Sequence, residues 1–339
     1  MKSILIRPGI TRFILAMLVI SFHLSPNAFF GSFAVGAFFM LSGYWISMMY
    51  TKKYLLKAHT LQVFYTSRIW RIFPVFLICT CLMLISQLLS HADWLVAQVQ
   101  ALVLDKQIRF YFSNFFILSY STTGYQLLAP AWSLDIEMQF YLLFPLLAYL
   151  VGLNRKWLLY LTPLVFLIAL YGNVTNVFWI TQTLAKYLFL FMLGMIAYYY
   201  QLKPNKSIER VANIGLLLLV LSQYLIPGLG QYYRVEHSPY YEGLTFAMLI
   251  LVIPLLLRSV HTETSVRDRF WGEMSFLIYL VHGVYLVPYN LLIEGMPKSH
   301  RLPYVAGFLI ATLLTAYLLY IWVDRPSEMK RQLWVKNKL

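Results

Sequence analysis

Apolar runs long enough to cross a bilayer leave this chain few ways to fold. They fall at about 10–24, 33–50, 70–90, 132–152, 157–171, 182–200, 211–226, 241–258, 271–292 and 302–323. A helix rises ~1.5 Å per residue, so each run spans a hydrocarbon core of ~30 Å once tilt and frayed ends are allowed for. Backbone in lipid must satisfy its own hydrogen bonds. The chain therefore reads as an all-α integral membrane protein with about ten transmembrane helices. Composition agrees, since 60% of the 339 residues are hydrophobic and only 12% are charged, far from the balance of a soluble domain. No low-complexity segment, fixed-period repeat or soluble domain is visible. The expectation is one membrane-embedded domain over 1–339, with a short basic tail from about 324. Small residues follow the first run, as they follow the apolar part of a signal peptide, but Arg12 lies too deep in it for that reading.

Basic residues orient the chain. Lys2 and Arg7, Lys52, Lys53, Lys57, Arg68 and Arg71, Arg155 and Lys156, Lys203, Lys206 and Arg210, Arg258, Arg267 and Arg269, and the terminal group from Arg325 to Lys338 all fall on one face. The opposite loops hold Lys106, Arg109, Arg234, Lys298 and Arg301. The positive-inside rule then puts both termini in the cytoplasm, in a multi-pass inner-membrane protein. The net charge of +14 is spread over inner loops rather than gathered into a groove-binding patch, which argues against nucleic acid and for attraction to the inner leaflet of the lipid bilayer. Cys79 and Cys81, two apart in one span, point to divergent helix faces. They read as apolar fillers rather than a disulfide, and no metal site is expected.

Ionisable groups inside spans are costly and mark function by default. Arg12 and His23 lie on one face of the first helix, ~16 Å apart along its axis. Snorkelling of Arg12 and an interfacial His23 are the structural alternative. Glu137 falls about 9 Å below the outer end of the fourth span, at the expected depth of His23. A carboxylate on one imidazole nitrogen would raise the basicity of the other, as a general base requires. Tyr141, four residues on, can reach Glu137, while Asp135 faces elsewhere and is expected at an interface. Arg68 and Arg71 share a face just before the third span and can grip phosphate oxygens, or serve only as positive-inside charge. Ser42 and Gly43 interrupt a bulky run at mid-membrane, either for close helix packing or as a slot for an acyl chain. Ser275, Tyr279 and His282 form one polar stripe, as a structural network or a substrate contact.

Together these features resemble the acyltransferase-3 family of integral membrane O-acyltransferases, which modify surface glycans. The likeness rests on Arg12 and His23 at their spacing, Phe38, Phe39, Ser42 and Gly43, then Arg68, Arg71 and Pro74. It continues through Asn114 and Phe116, Trp132, Ser133, Leu134, Glu137, Phe140 and Tyr141, and Ser275, Tyr279, Leu280 and His282. Departures are Phe13 where the family commonly has glycine, and Asp324, Arg325 and Pro326 in place of the usual Glu-x-Pro; neither is expected to touch the chemistry. The resemblance implies acyl-CoA, acetyl-CoA first, as co-substrate with no bound cofactor, and a glycan or lipid-linked saccharide hydroxyl as acceptor. Arg12, Arg68 and Arg71 would bind the donor, His23 would act as general base or transient acyl carrier, and Glu137 would orient it. Trp132, Ser133, Tyr141, Ser42, Gly43, Ser275, Tyr279 and His282 would support the site. Many relatives carry an extracytoplasmic hydrolase-like domain absent from these 339 residues, so the chain is expected to act alone, as a homo-oligomer or with a separate partner. The rival readings are a transporter or flippase of an acyl group or glycolipid, and a non-catalytic subunit of an envelope-polymer assembly complex.

Overall fold

The computed structural model describes residues 7–25, 30–57, 59–100, 104–123, 126–226, 228–232 and 238–338. Lys2 and Arg234, two of the charges counted above, lie outside them. The described chain is helical, with no strand: α1 (Pro8–Leu24), α2 (Gly31–Met49), α3 (Thr60–Gln100), α4 (Leu104–Phe116), α5 (Trp132–Leu153), α6 (Lys156–Thr175) and α7 (Phe178–Thr181). It continues through α8 (Leu184–Tyr199), α9 (Lys206–Leu225), α10 (Leu229–Tyr232), α11 (Pro239–Val260), α12 (Val266–Leu292), α13 (Leu302–Leu319) and α14 (Arg325–Lys336). Among the described residues nine helical segments are long and apolar enough to cross a membrane, and the shorter apolar α1 joins them. The all-α, multi-pass architecture is that expected from the apolar runs.

The chain divides into two compact units. The first, Met1–Tyr50 with Leu146–Ser275, is built around α2 and α8, with α1 and α11 against α2, α6 against α8, and α9 against α11. Glycine permits the central contact: a Cβ on Gly43 would lie 2.0 Å from the Phe191 carbonyl oxygen, and one on Gly194 2.0 Å from that of Met40. Bilayer helices gain little by burying apolar area against each other, so such backbone approach is a principal source of their association. The start of α1 is held by Asp268, whose carboxylate accepts from the backbone N–H groups of Gly9 and Ile10 at 3.1 Å. Those are orphan donors of a helix N-terminus, where a carboxylate also meets the favourable end of the dipole. Phe13, the departure from the family pattern, packs edge-on to Trp271 with centroids 4.6 Å apart.

The second unit is Thr51–Pro145 with Phe276–Leu339. Its long helix α3 starts ten residues before the span expected at 70–90. Hydropathy was lowered by Arg68 and Arg71, which lie inside the helix instead of preceding it. Two π-helical turns, Tyr50–Tyr54 and Tyr320–Asp324, interrupt regular helix; such turns commonly sit at functional sites. The basic tail is ordered helix α14, packed on α3 with Val335 fully buried and Trp334 6.0 Å from Trp70. Cys79 is buried and Cys81 exposed, both as free thiols.

Candidate active site

In the second unit the expected link between α5 residues is made. Tyr141 donates its phenolic hydrogen to Glu137 Oε1 at 2.5 Å, a charge-assisted bond that fixes the carboxylate. Arg68 lies over the same tyrosine, its Cζ 5.9 Å from the Tyr141 ring centroid and 5.6 Å from that of Tyr54. Arg68, Tyr141 and Glu137 thus form one cluster, although the sequence had placed Arg68 at the inner boundary and Glu137 near the outer one. The early start of α3 is the reason. A bond from Tyr65 to the Leu142 carbonyl and the tilted ring contact of Phe64 with Phe144, centroids 5.7 Å apart, hold α3 and α5 together at this level.

The two arginines take different partners. Arg68 is buried and donates to Tyr54 Oη at 2.6 Å. Among the described residues no carboxylate is within ion-pair distance of it, and its Nε has no acceptor. Arg71 instead pairs with Asp324 at 2.7 Å and covers the Phe276 ring. Asp324 therefore does meet one of the proposed donor arginines, Arg71, which corrects the expectation that it stands apart. Each π-helical turn presents one partner, Tyr54 to Arg68 and Asp324 to Arg71. Ser67 bonds Tyr54 at 2.8 Å and accepts from Arg331 of α14. Glu328 accepts from Arg331 Nε at 2.8 Å and from its Nη2.

The start of α5 is braced from two sides. Asp135 is fully buried; it accepts from the Ser119 and Ser121 amides and from the Ser121 hydroxyl. Those bonds hold a turn in which Ile117 and Ser119 have φ of 66° and 62°, a conformation that costs most for a β-branched residue. Asn114 accepts from the Leu127 amide at 2.9 Å. Tyr120 exchanges bonds with the Leu128 amide and carbonyl, and burial pushes its phenol well above the ordinary value. On the other side Ser133 and Tyr279 share a 2.7 Å bond and both reach the Pro130 carbonyl. Gly283 lets α12 approach Pro130. His282 is wholly buried with Nδ1 3.3 Å from the Ile278 carbonyl. Tyr279 and Ser133 thus form a structural network, and Trp132 is half-buried at the first position of the helix they brace.

The first unit carries Arg12, half-buried about three turns from His23 and its partner in the sequence motif, and His23 itself in the last turn of α1 against the Phe22 ring. Gly43 is occupied by the α8 backbone, so the slot reading gives way to close packing there, with Ser42 half-buried beside it. Ser275 spends its hydrogen on the Gly272 carbonyl at 2.7 Å. Sequence reasoning missed the Lys186–Glu242 pair at 2.9 Å and the Arg258–Glu209 pair at 2.6 Å. Lys186 was visible as a lone charge in an apolar run, but its partner lies 56 positions away.

The acyltransferase-domain profile of the acyltransferase-3 family matches residues 8–321, and the chain belongs to that family. A Staphylococcus aureus (strain MSSA476) protein provisionally named as an O-acetyltransferase is 23% identical over 96% of this chain and 58% of its own length. O-acetyltransferase OatA of Staphylococcus aureus (strain NCTC 8325) is 24% identical over 92% of this chain and 55% of its own. The chain therefore spans a little over half the length of these relatives. No solved structure matches it.

Proposed function

We propose that the chain is an inner-membrane O-acyltransferase that moves an acetyl group from cytoplasmic acetyl-CoA to a hydroxyl of a cell-surface glycan or glycolipid. The thioester C–S bond breaks and an ester C–O bond forms. The acceptor's proton goes to the base, and the CoA thiolate leaves. His23 is the base or, in a two-step transfer, the transient acyl carrier. Glu137 is the second acid–base group. Arg68 and Arg71 are the donor-side cations of the second unit.

One observation carries the donor assignment. Arg68 is buried with neutral phenols for neighbours, no carboxylate in ion-pair range among the described residues and an Nε that finds no acceptor. A buried cation with no carboxylate in direct contact is costly; Glu137 acts on Arg68 only at longer range, beyond Tyr141, and an anionic ligand would complete the compensation. A guanidinium fork suits phosphate better than an ammonium does. Names given to the relatives favour acetyl as the group and a hydroxyl as its destination.

The test is CoA binding to detergent-solubilised variants of equal folded content. Arg68→Ala should weaken binding by about 10- to 150-fold, the range for a charge-assisted hydrogen bond, and Arg68→Lys should rescue it only in part. Wild-type binding in the Arg68→Ala, Arg71→Ala double variant would overturn the donor assignment. Cleavage of the acetyl-CoA thioester by the purified protein separates the enzyme from a transporter, which leaves the thioester intact.

A further inference from the structure

The family profile ends at residue 321, yet the next helix reaches back to the donor-side arginines. Arg331 of α14 is 4% exposed and is gripped by Glu328 through Nε and Nη2. That fork fixes the guanidinium plane and leaves Nη1 to donate to Ser67. Ser67 and Tyr54 share one hydrogen bond, and Tyr54 in turn accepts from Arg68 Nη2. Guanidiniums only donate, so the two hydroxyl oxygens each accept from a flanking cation, and one hydroxyl proton joins them. Ser67 and Tyr54 are completely buried, and turning either away strands a buried donor. Trp334 against Trp70 and the buried Val335 dock α14 on α3, so a whole helix holds the relay in place.

We propose that Arg331 is a positioning residue for donor binding: through Ser67 and Tyr54 it fixes the guanidinium of Arg68 in the orientation that receives the donor's phosphate. This rests on the reading of Arg68 as a donor-phosphate ligand. It gives α14, which lies beyond the family match, a part in recognising the donor.

The experiment is steady-state kinetics with acetyl-CoA, alongside CoA binding, on Arg331→Ala, Arg331→Lys, Ser67→Ala, Arg68→Ala and the Arg331→Ala, Arg68→Ala double variant. Folded content is matched by size exclusion and thermal melting. Arg331→Ala and Ser67→Ala should each raise the acetyl-CoA KM by about 10-fold with kcat within about twofold, in the range of couplings between residues sharing one network. Arg331→Lys should fall between, since an ammonium supplies charge without the fork. In the Arg68→Ala background Arg331→Ala should add nothing, because its effect runs through Arg68. Ser67→Ala leaves the Arg331–Glu328 pair intact and stays informative if Arg331→Ala does not fold. A wild-type KM in Ser67→Ala and Arg331→Lys, or additive effects in the double variant, overturns the positioning role while Arg68 keeps its own. Wild-type KM and CoA binding in Arg68→Ala overturns the donor reading itself.

Discussion

Glu137 is held in place by Tyr141, one turn away on the same helix. Glu137→Gln keeps the shape and most hydrogen bonding while removing the charge. The expected result is a fall in kcat of about 10²-fold or more with the acetyl-CoA KM nearly unchanged, the signature of an interaction made in the transition state. A collapse of donor affinity at constant kcat would instead make Glu137 a binding residue. This contact was legible in the sequence because it is local: four residues along a helix is a neighbour whatever the tertiary fold. Asp135 was not legible. Its ligands are amides of a turn 14 to 16 residues earlier, and no periodicity reports them. Arg71 was found by its spacing, but its engagement by Asp324, 253 positions away, depends on how two helices pack.

The packing of α2 on α8 shows what a single residue decides for an element. Gly43 and Gly194 each leave room for the other helix's backbone, and a methyl at Gly43 has a carbonyl in its way rather than a side chain that could turn aside. Gly43→Ala should destabilise the folded protein by about 1–3 kcal/mol, the usual cost of overpacking, read as a lower melting temperature in detergent. Gly152→Ala is the control, since nothing lies within 4 Å of its added Cβ and alanine is the better helix former. Equal melting of the two variants would contradict this packing. The small residues at 42 and 43 were visible in the sequence as a break in a bulky run, but the facing Gly194 was not paired with them, because strand-like or heptad rules do not connect helices so far apart in the chain. Helix α3 teaches the converse. Its apolar part was read correctly, and its true start was hidden because hydropathy penalises Arg68 and Arg71, the first of which the helix buries.

At the scale of the molecule, apolar runs and their basic flanks were enough to identify an all-α, multi-pass chain, since the bilayer leaves so few alternatives. The division into two units was not legible, because each is assembled from segments far apart in sequence. The first unit holds Arg12 and His23; the second holds the arginine cluster, Glu137 and the brace around Pro130. The central claim is that this chain transfers an acetyl group by means of His23. The most direct measurement is mass spectrometry of surface glycans from cells lacking the gene that are given either the wild type or His23→Ala at matched membrane abundance. The wild type should restore one acetyl increment on a glycan hydroxyl and His23→Ala should leave it at background, as expected for loss of a base worth about 10²–10⁴-fold in rate. Full acetylation in cells carrying His23→Ala would contradict the account.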